Sequence, residues 1–174
     1  MRMKTSVLAV AFSLVSASPA WTQTTCNATG IPSSCTTSNT LQITTQTTAR
    51  VTVTPTSFNF GNPTANDYNQ GFTQALGHAV QVKVNNSWTL SISSSQATWT
   101  ATGGASPTKP RSDLQFATSS GGPYTAMPGA ATSLATGTAT ASTTVNVWYR
   151  VLWSWTLDIP GTYALPVVLL ISAP

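Results

Sequence analysis

Charge is what this sequence of 174 residues has least of: Asp, Glu, Lys and Arg together make up 6% of it, and Glu is absent. Typical soluble domains carry about a quarter charged residues. The acids are Asp67, Asp113 and Asp158, and they stand far apart in the sequence. A carboxylate pair for glycoside hydrolysis is therefore not indicated. We interpret Asp67 and Asp158 as turn residues and Asp113 as the start of a strand.

Histidine and cysteine are also scarce. The one histidine, His78, has no acid close in sequence to orient it and no Gly-x-Ser-x-Gly nucleophile motif to serve. We interpret it as a polar residue at the start of a strand. Two cysteines and one distant histidine do not complete a set of metal ligands. The sequence therefore predicts a protein that is not an enzyme and that needs no metal and no cofactor.

The basic residues are scattered, and only Lys109 and Arg111 stand close together. The formal net charge is +4, but Arg2 and Lys4 fall in a segment that we expect to be removed. Nucleic acid and anionic membranes are bound by clustered basic side chains, so neither partner is indicated. A weak net charge also permits close association between copies of the protein.

The N-terminus has the pattern of a secretory signal peptide. Its two basic residues precede a short apolar run at 6–17, and Ser18-Pro19-Ala20 supplies the small residues of a cleavage site. The run is too short to span a bilayer. We therefore expect a secreted protein, extracellular or on the cell surface, with no membrane span once the signal peptide 1–20 is removed.

Export would place the two cysteines in an oxidising compartment, where disulfides persist. The segment between Cys26 and Cys35 contains Gly30 and Pro32, which are typical of a turn. We expect a Cys26–Cys35 disulfide that closes a small loop. Intermolecular pairing and two free thiols are the alternatives.

Hydroxyl side chains take the place of charged ones, with 32 Thr and 21 Ser in the chain. Thr favours strands and Ser favours turns. Residues 21–40 have no apolar periodicity, but from Leu41 to Val53 the residues alternate as in a strand with one buried face. That run is longer than a usual strand. We therefore divide it between the domain, from Ala49 on, and a surplus strand at its start, with Leu41, Ile43, Thr45 and Thr47 on one face.

Further strands are predicted from period-two alternation and from the turn residues between them. They are Phe58–Phe60, Ala79–Val84, Trp88–Ile92, Thr98–Ala101, Leu114–Ala117, Val145–Trp155 and Tyr163–Ile171. Asn85-Asn86-Ser87 predicts a hairpin between the second and third of them. The last carries Tyr163, Leu165, Val167, Leu169 and Ile171 at alternate positions.

No segment has helical periodicity, and residues 102–111 and 129–144 are predicted to be exposed connections. The sequence thus predicts an all-β fold, an immunoglobulin-like antiparallel Greek-key sandwich of about seven or eight strands. The sandwich would comprise residues 49–174, after an N-terminal arm at 21–48.

Three groups of residues resemble a known family. They are Phe58-Asn59-Phe60-Gly61-Asn62, the strand pair at 80–92, and Pro160-Gly161-Thr162-Tyr163 with the alternating residues after it. Over residues 49–174 they resemble the spore coat protein U family and related chaperone–usher pilins. Two features depart from the family pattern: the cysteines lie in the arm, and Pro166 stands where a polar residue is usual.

The resemblance implies a structural subunit of a filament, pilus or surface coat. In that family the N-terminal arm of one subunit fills the groove of the next, with copies of the protein as partners and with a periplasmic chaperone and an outer-membrane usher as helpers. The surplus strand at 41–47 would be the donor.

An alternative function is a secreted carbohydrate-binding module that uses exposed aromatic rings. Three tryptophans match the apolar period of their strands and are predicted in the core: Trp88, Trp153 and Trp155. Trp148 is out of phase and Trp99 adjoins a glycine-rich loop. With Tyr124, these two are candidates for a glycan platform or a subunit contact.

Overall fold

The computed structural model describes residues 42–104 and 108–174. The chain divides into two compact units, Met1–Thr44 and Thr45–Pro174. The predicted signal peptide, Cys26, Cys35 and Leu41 lie outside the described residues. Of the first unit only residues 42–44 are described, and they are exposed and form no strand. The architecture below is that of the second unit.

Ten β-strands, one short helix and one 3-10 turn make up the regular structure of the described residues. The strands are β1 (Ala49–Thr54), β2 (Phe72–Val84), β3 (Trp88–Ser93), β4 (Thr100–Thr102), β5 (Leu114–Ala117), β6 (Thr125–Ala126), β7 (Thr132–Gly137), β8 (Thr140–Leu152), β9 (Thr162–Ala164) and β10 (Val168–Ser172). The helix α1 is Ala65–Gln70, and the 3-10 turn is Arg111–Asp113. The predicted all-β class is therefore confirmed.

All strand pairs are antiparallel. One sheet has the order β1-β2-β8-β5-β6, a second has the order β10-β3-β7, and β4 pairs with β9 in a small third sheet. The first two sheets bury their apolar faces against each other in a sandwich-like arrangement. Alternate residues of the central strands form the core: Val80, Val82, Val84, Trp88, Leu90, Ile92, Val147, Tyr149 and Val151. Burial of these side chains is the main stabilising contribution to the fold.

The predicted hairpin between β2 and β3 is wrong, because the two strands lie in different sheets. Val84 and Trp88 are both buried, and they reach the core from opposite sheets. The turn between them is held by other segments: Asn85 Nδ2 donates to the Gln46 carbonyl at 2.8 Å, and Asn86 Nδ2 donates to the Pro174 carbonyl at 2.6 Å. The turn therefore connects the layers of the sandwich.

The C-terminal strand predicted at 163–171 is in fact two strands, β9 and β10. Between them lie Leu165, Pro166 and Val167, and the proline has no N–H for a sheet ladder. The apolar alternation nevertheless continues through the break. Tyr163, Leu165, Val167, Leu169 and Ile171 are all half-buried and packed on the core.

Four other expectations need correction. Phe58–Phe60 forms no strand, and β8 ends at Leu152, three residues before the predicted end. The stretch 129–144, predicted to be a loop, contains β7 and the start of β8. Its Thr, Ser and Ala side chains suit a strand at a sheet edge. The strand predicted at 98–101 overlaps β4, which lies at Thr100–Thr102.

Helix α1 has no apolar periodicity, which is why the sequence did not predict it. It depends instead on its ends. Thr64 Oγ1 accepts from the Asp67 amide at 3.3 Å, and Asp67 Oδ2 accepts from the Thr64 amide at 2.7 Å, which together form a capping box. Gly71 ends the helix with a left-handed φ of 82°. The prediction that Asp67 lies in a turn is therefore wrong.

Candidate functional site

Among the described strands, β1 forms one edge of the first sheet and β10 forms one edge of the second, while β6 and β7 form the opposite edges. Strands β1 and β10 contact each other, and their neighbouring segments are joined by a hydrogen bond from Thr47 Oγ1 to the Pro174 carbonyl at 3.0 Å. An open edge presents backbone N–H and C=O groups without ladder partners. Here the open edges of β1 and β10 belong to the same side of the fold.

A cleft of about 980 Å³ lies beside these edges. One wall is the segment 56–63, which follows β1, and the other is the segment 159–167, which precedes β10. The floor is apolar and belongs to the core: Trp99, Leu114, Tyr149 and Val151. At the rim, Ile159 is 47% exposed. The cleft is therefore a break in the core that opens to solvent.

The apolar side chains at the edges are only half covered. They belong to β1 and to the segment that ends in β10, and they pack on the core from one side: Val51, Val53, Leu165, Val167, Leu169 and Ile171. In a closed sandwich the inward row of an edge strand is covered by the facing sheet. The inward rows of β1 and of the segment that ends in β10 are thus less fully buried than those of the central strands.

Two polar side chains, those of His78 and Tyr149, meet at the floor of the cleft. His78 Nδ1 lies 3.2 Å from the Tyr149 hydroxyl. Burial lowers the pKa of His78 and raises the pKa of Tyr149. Gly77 allows the Tyr149 ring to approach the backbone, because a Cβ at position 77 would overlap that ring. Among the described residues, no carboxylate is hydrogen-bonded to this pair.

Because burial disfavours the charged form of His78, the protein should lose stability as the pH falls. The unfolded chain binds the proton near the ordinary pKa of 6.5, and the folded protein binds it at a lower pH. Between those values protonation favours unfolding. We expect a lower urea midpoint at about pH 5.5 than at about pH 8. The variant His78→Asn should show a smaller difference, and an equal difference in both proteins would contradict this assignment.

A buried lysine lies near one wall of the cleft. Lys109 is 3% exposed, although the sequence predicted it in an exposed loop. Its Nζ donates to Asp158 Oδ1 at 2.8 Å, to Asp113 Oδ2 at 3.2 Å and to the Leu152 carbonyl at 2.7 Å. Asp158 is also buried, because it closes the turn after β8 by accepting the Ser154 amide on Oδ2 at 2.8 Å. The prediction of a turn at Asp158 missed this ion pair.

The structure does not assemble the predicted aromatic platform. Trp99 is 8% exposed, and its Nε1 donates to the Pro110 carbonyl at 3.1 Å, so it is a core residue. Trp148 is half-buried and alternates with the core residues of β8, which places it on the outer face. Tyr124 packs under the Arg150 guanidinium, whose carbon lies 3.9 Å from the ring centroid. Trp99 is thus separated from the other two by the sheet.

Another aromatic pair joins an exposed Trp155 to a half-buried Tyr68. Trp155, predicted in the core, is 62% exposed because β8 has already ended. Its ring lies 4.7 Å from that of Tyr68, and its Nε1 donates to Asn69 Oδ1 at 3.3 Å. Trp88 is buried as predicted, and Trp153 is half-buried against the core. A sequence signal for Tyr68 does not exist, since it lies on the short helix α1.

The predicted donor residues that the structure describes are exposed. Ile43 is 76% exposed, and residues 42–48 form no strand. Within the second unit, residues 46–48 are anchored by the Asn85 and Asn86 side chains. Their hydroxyl and backbone groups therefore lie at the entrance to β1, at the open edge of its sheet.

Comparison with known proteins gives no relative: no protein-family model, curated protein or solved structure matches this chain. No helix in the described part of the chain is long and apolar enough to cross a membrane. In residues 42–104 and 108–174 no group of three or more His, Cys, Asp or Glu is placed to hold a metal ion. The case for a function therefore rests on the cleft and the two open edges.

Proposed function

We propose that this protein is a secreted structural subunit of an extracellular filament, pilus or surface coat, without enzymatic activity. In this proposal its N-terminal strand inserts into the cleft of a neighbouring copy. The observation that carries the proposal is the half-covered apolar row beside the open cleft. The fold would then be an immunoglobulin-like Greek-key sandwich that is completed by the donated strand.

A donated strand suits this site for two reasons. An incoming strand can use the open N–H and C=O groups of β1 or β10, and alternate side chains can enter the cleft, as in β-augmentation. The segment 41–47 has that alternation, with Leu41 and Ile43 as its apolar members. Each of these two side chains would contribute about 1.5–3 kcal/mol on full burial.

The remaining expectations belong to the same proposal. The signal peptide would export the chain, and a Cys26–Cys35 disulfide would close a loop within the arm ahead of the donor segment. A periplasmic chaperone would cover the cleft before assembly, and an outer-membrane usher would order the subunits. The low charge of the sequence supports close packing of many copies.

Binding of a donor peptide tests the proposal directly. The mature chain 21–174 carrying Ile43→Asp cannot donate well but keeps its cleft. We expect a synthetic peptide of residues 40–48 to bind it saturably and to raise its melting temperature, since a ligand at 100 times its Kd stabilises by about 2.7 kcal/mol. Thermal shift and calorimetric titration measure both effects.

The matched control is the same peptide with Asp in place of Leu41 and Ile43. It keeps the length and the hydroxyl residues but loses the apolar anchors, so we expect no binding. Equal binding of both peptides, or binding of neither, would contradict capture of this strand by the cleft.

A second candidate function, carbohydrate binding, is favoured by one observation. The exposed Trp155 ring lies 4.7 Å from the half-buried Tyr68 ring, and Leu157 and Ile159, which follow shortly in sequence, are also exposed. Exposed aromatic rings stack on sugar faces, and Asn69 would supply a polar group. Trp155→Ala should then abolish retention on a glycan array without changing assembly. No retention of the wild-type protein on the array would remove this candidate.

A further inference from the structure

The buried lysine has a reactive geometry. Lys109 Nζ lies 2.8 Å from Asp158 Oδ1, and the two side chains are 1% and 5% exposed. The Trp153 ring centroid is 4.7 Å from Nζ, and the Tyr163 ring centroid is 5.9 Å from it. The amine nitrogen is therefore held at hydrogen-bond distance from the carboxyl group whose carbon, Cγ, it would attack, and both groups are shielded from water.

An amine and a carboxyl group condense when both are neutral, so the reaction begins with a proton transfer between them. Two opposite charges in a low-dielectric site each carry a large desolvation cost. Transfer of one proton from the Lys109 ammonium to the Asp158 carboxylate removes both charges. The result is a neutral amine, which is a nucleophile, in contact with a neutral carboxylic acid, whose hydroxyl can leave as water.

We propose that Lys109 and Asp158 join in an intramolecular amide bond, an isopeptide, with Asp113 as the proton carrier. The Nζ–Cγ bond forms and the Cγ–Oδ1 bond breaks. Asp113 Oδ2, 3.2 Å from Nζ, takes a proton from the attacking nitrogen and passes it to the leaving hydroxyl. One water is released, and Asp113 returns to its carboxylate form, so no other reactant is needed.

The surroundings stabilise the reaction at both ends. The Ser154 amide donates to Asp158 Oδ2 at 2.8 Å, which is the oxygen that becomes negative in the tetrahedral intermediate. In the product that oxygen is the amide carbonyl and keeps the same donor. The remaining amide N–H retains the Leu152 carbonyl, now 2.7 Å from Nζ. The Asp113 side chain is 26% exposed, so the proton carrier itself reaches solvent.

The bond would connect two segments that are distant in sequence. Lys109 stands just before the 3-10 turn that leads into β5, and Asp158 stands 49 residues later in the connection from β8 to β9. Asp158 adjoins Ile159, which lines the cleft. The isopeptide would therefore fix one wall of the cleft. Formation of the isopeptide does not depend on what occupies the cleft.

Intact-mass spectrometry of the denatured, reduced full chain tests the bond. We expect a mass lower by one water than that of the sequence after any signal removal. Protease digestion should yield a branched peptide that contains both Lys109 and Asp158. A measured mass equal to that of the sequence, with no water lost, would overturn the proposal. A loss of water that maps to a single linear peptide would also overturn it.

Two variants separate the bond from the ion pair. Lys109→Arg keeps a positive charge for the carboxylates but has no nucleophilic amine, so its mass should equal that of its sequence. Asp158→Asn would release ammonia in place of water and should reach the same final mass as the wild-type protein. Asp113→Asn should leave a large unlinked fraction. A loss of water in the Lys109→Arg variant would also overturn the proposal.

Discussion

Replacement of Lys109 by Met is expected to lower the free energy of unfolding by about 3–5 kcal/mol. The substitution keeps most of the side-chain volume but leaves Asp158 buried without its cation. A buried charge without a partner costs several kcal/mol, whereas a whole pair is often close to neutral. Loss of an isopeptide would add to the effect. Urea unfolding monitored by tryptophan fluorescence measures the change.

Lys83→Met is the matched control, because the Lys83 side chain is exposed on β2 and its charge is solvated. Surface substitutions of this kind change stability by about 0.5 kcal/mol or less. The double variant Lys109→Met, Asp158→Leu removes both buried charges and should recover the part of the loss that comes from the unpaired carboxylate. Equal urea midpoints for Lys109→Met and Lys83→Met would contradict the buried pair.

The positions and buried faces of individual strands can be predicted from the sequence. Val80, Val82 and Val84 alternate with polar residues in β2. All three are buried because successive side chains of a strand point to opposite faces of the sheet. Leu114–Ala117 was likewise predicted with its observed bounds. The partner of a strand is not a local property. The same Asn85-Asn86-Ser87 turn that would suit a hairpin instead joins two sheets.

The buried charges were beyond sequence reasoning for the same reason. Lys109 and Asp113 are four residues apart, a spacing that usually indicates an exposed helix face. Only the fold brings Asp158 to them across 49 residues. Apolar periodicity carries no information about such a contact. It also misplaced Trp155, because nothing in the alternation marks the point at which β8 leaves the sheet.

Filament formation is expected to depend entirely on the donor segment. The mature chain 21–174 should form filaments in negative-stain electron microscopy, and a chain that begins at Thr48 should form none. The truncation removes Ile43, which is 76% exposed, and leaves the core side chains in place. Circular dichroism should therefore show the same strand content in both proteins. Monodisperse particles from the mature chain, with and without a coexpressed chaperone, would contradict assembly by strand donation.

Point variants separate the donor face from its reverse. The variant Ile43→Asp places a charge on the face of the proposed strand that enters the apolar cleft, and it should abolish filaments. The variant Thr44→Asp adds the same charge to the opposite face of the segment, and it should leave filaments intact. Loss of filaments in both variants would indicate general charge repulsion, which would contradict a strand with one inserted face.

Mixing then tests the direction of assembly. A subunit with Ile43→Asp can accept a donor strand but cannot donate one, so each copy that joins a filament should end its growth at one end. An equal mixture with the wild-type protein should give shorter filaments in a dose-dependent way, whereas the chain that begins at Thr48 and carries Val167→Asp, with both functions impaired, should have no effect. Filaments held by lateral contacts between sheets would keep their length in either mixture. Filament length thus distinguishes head-to-tail strand donation from side-by-side association of the same fold.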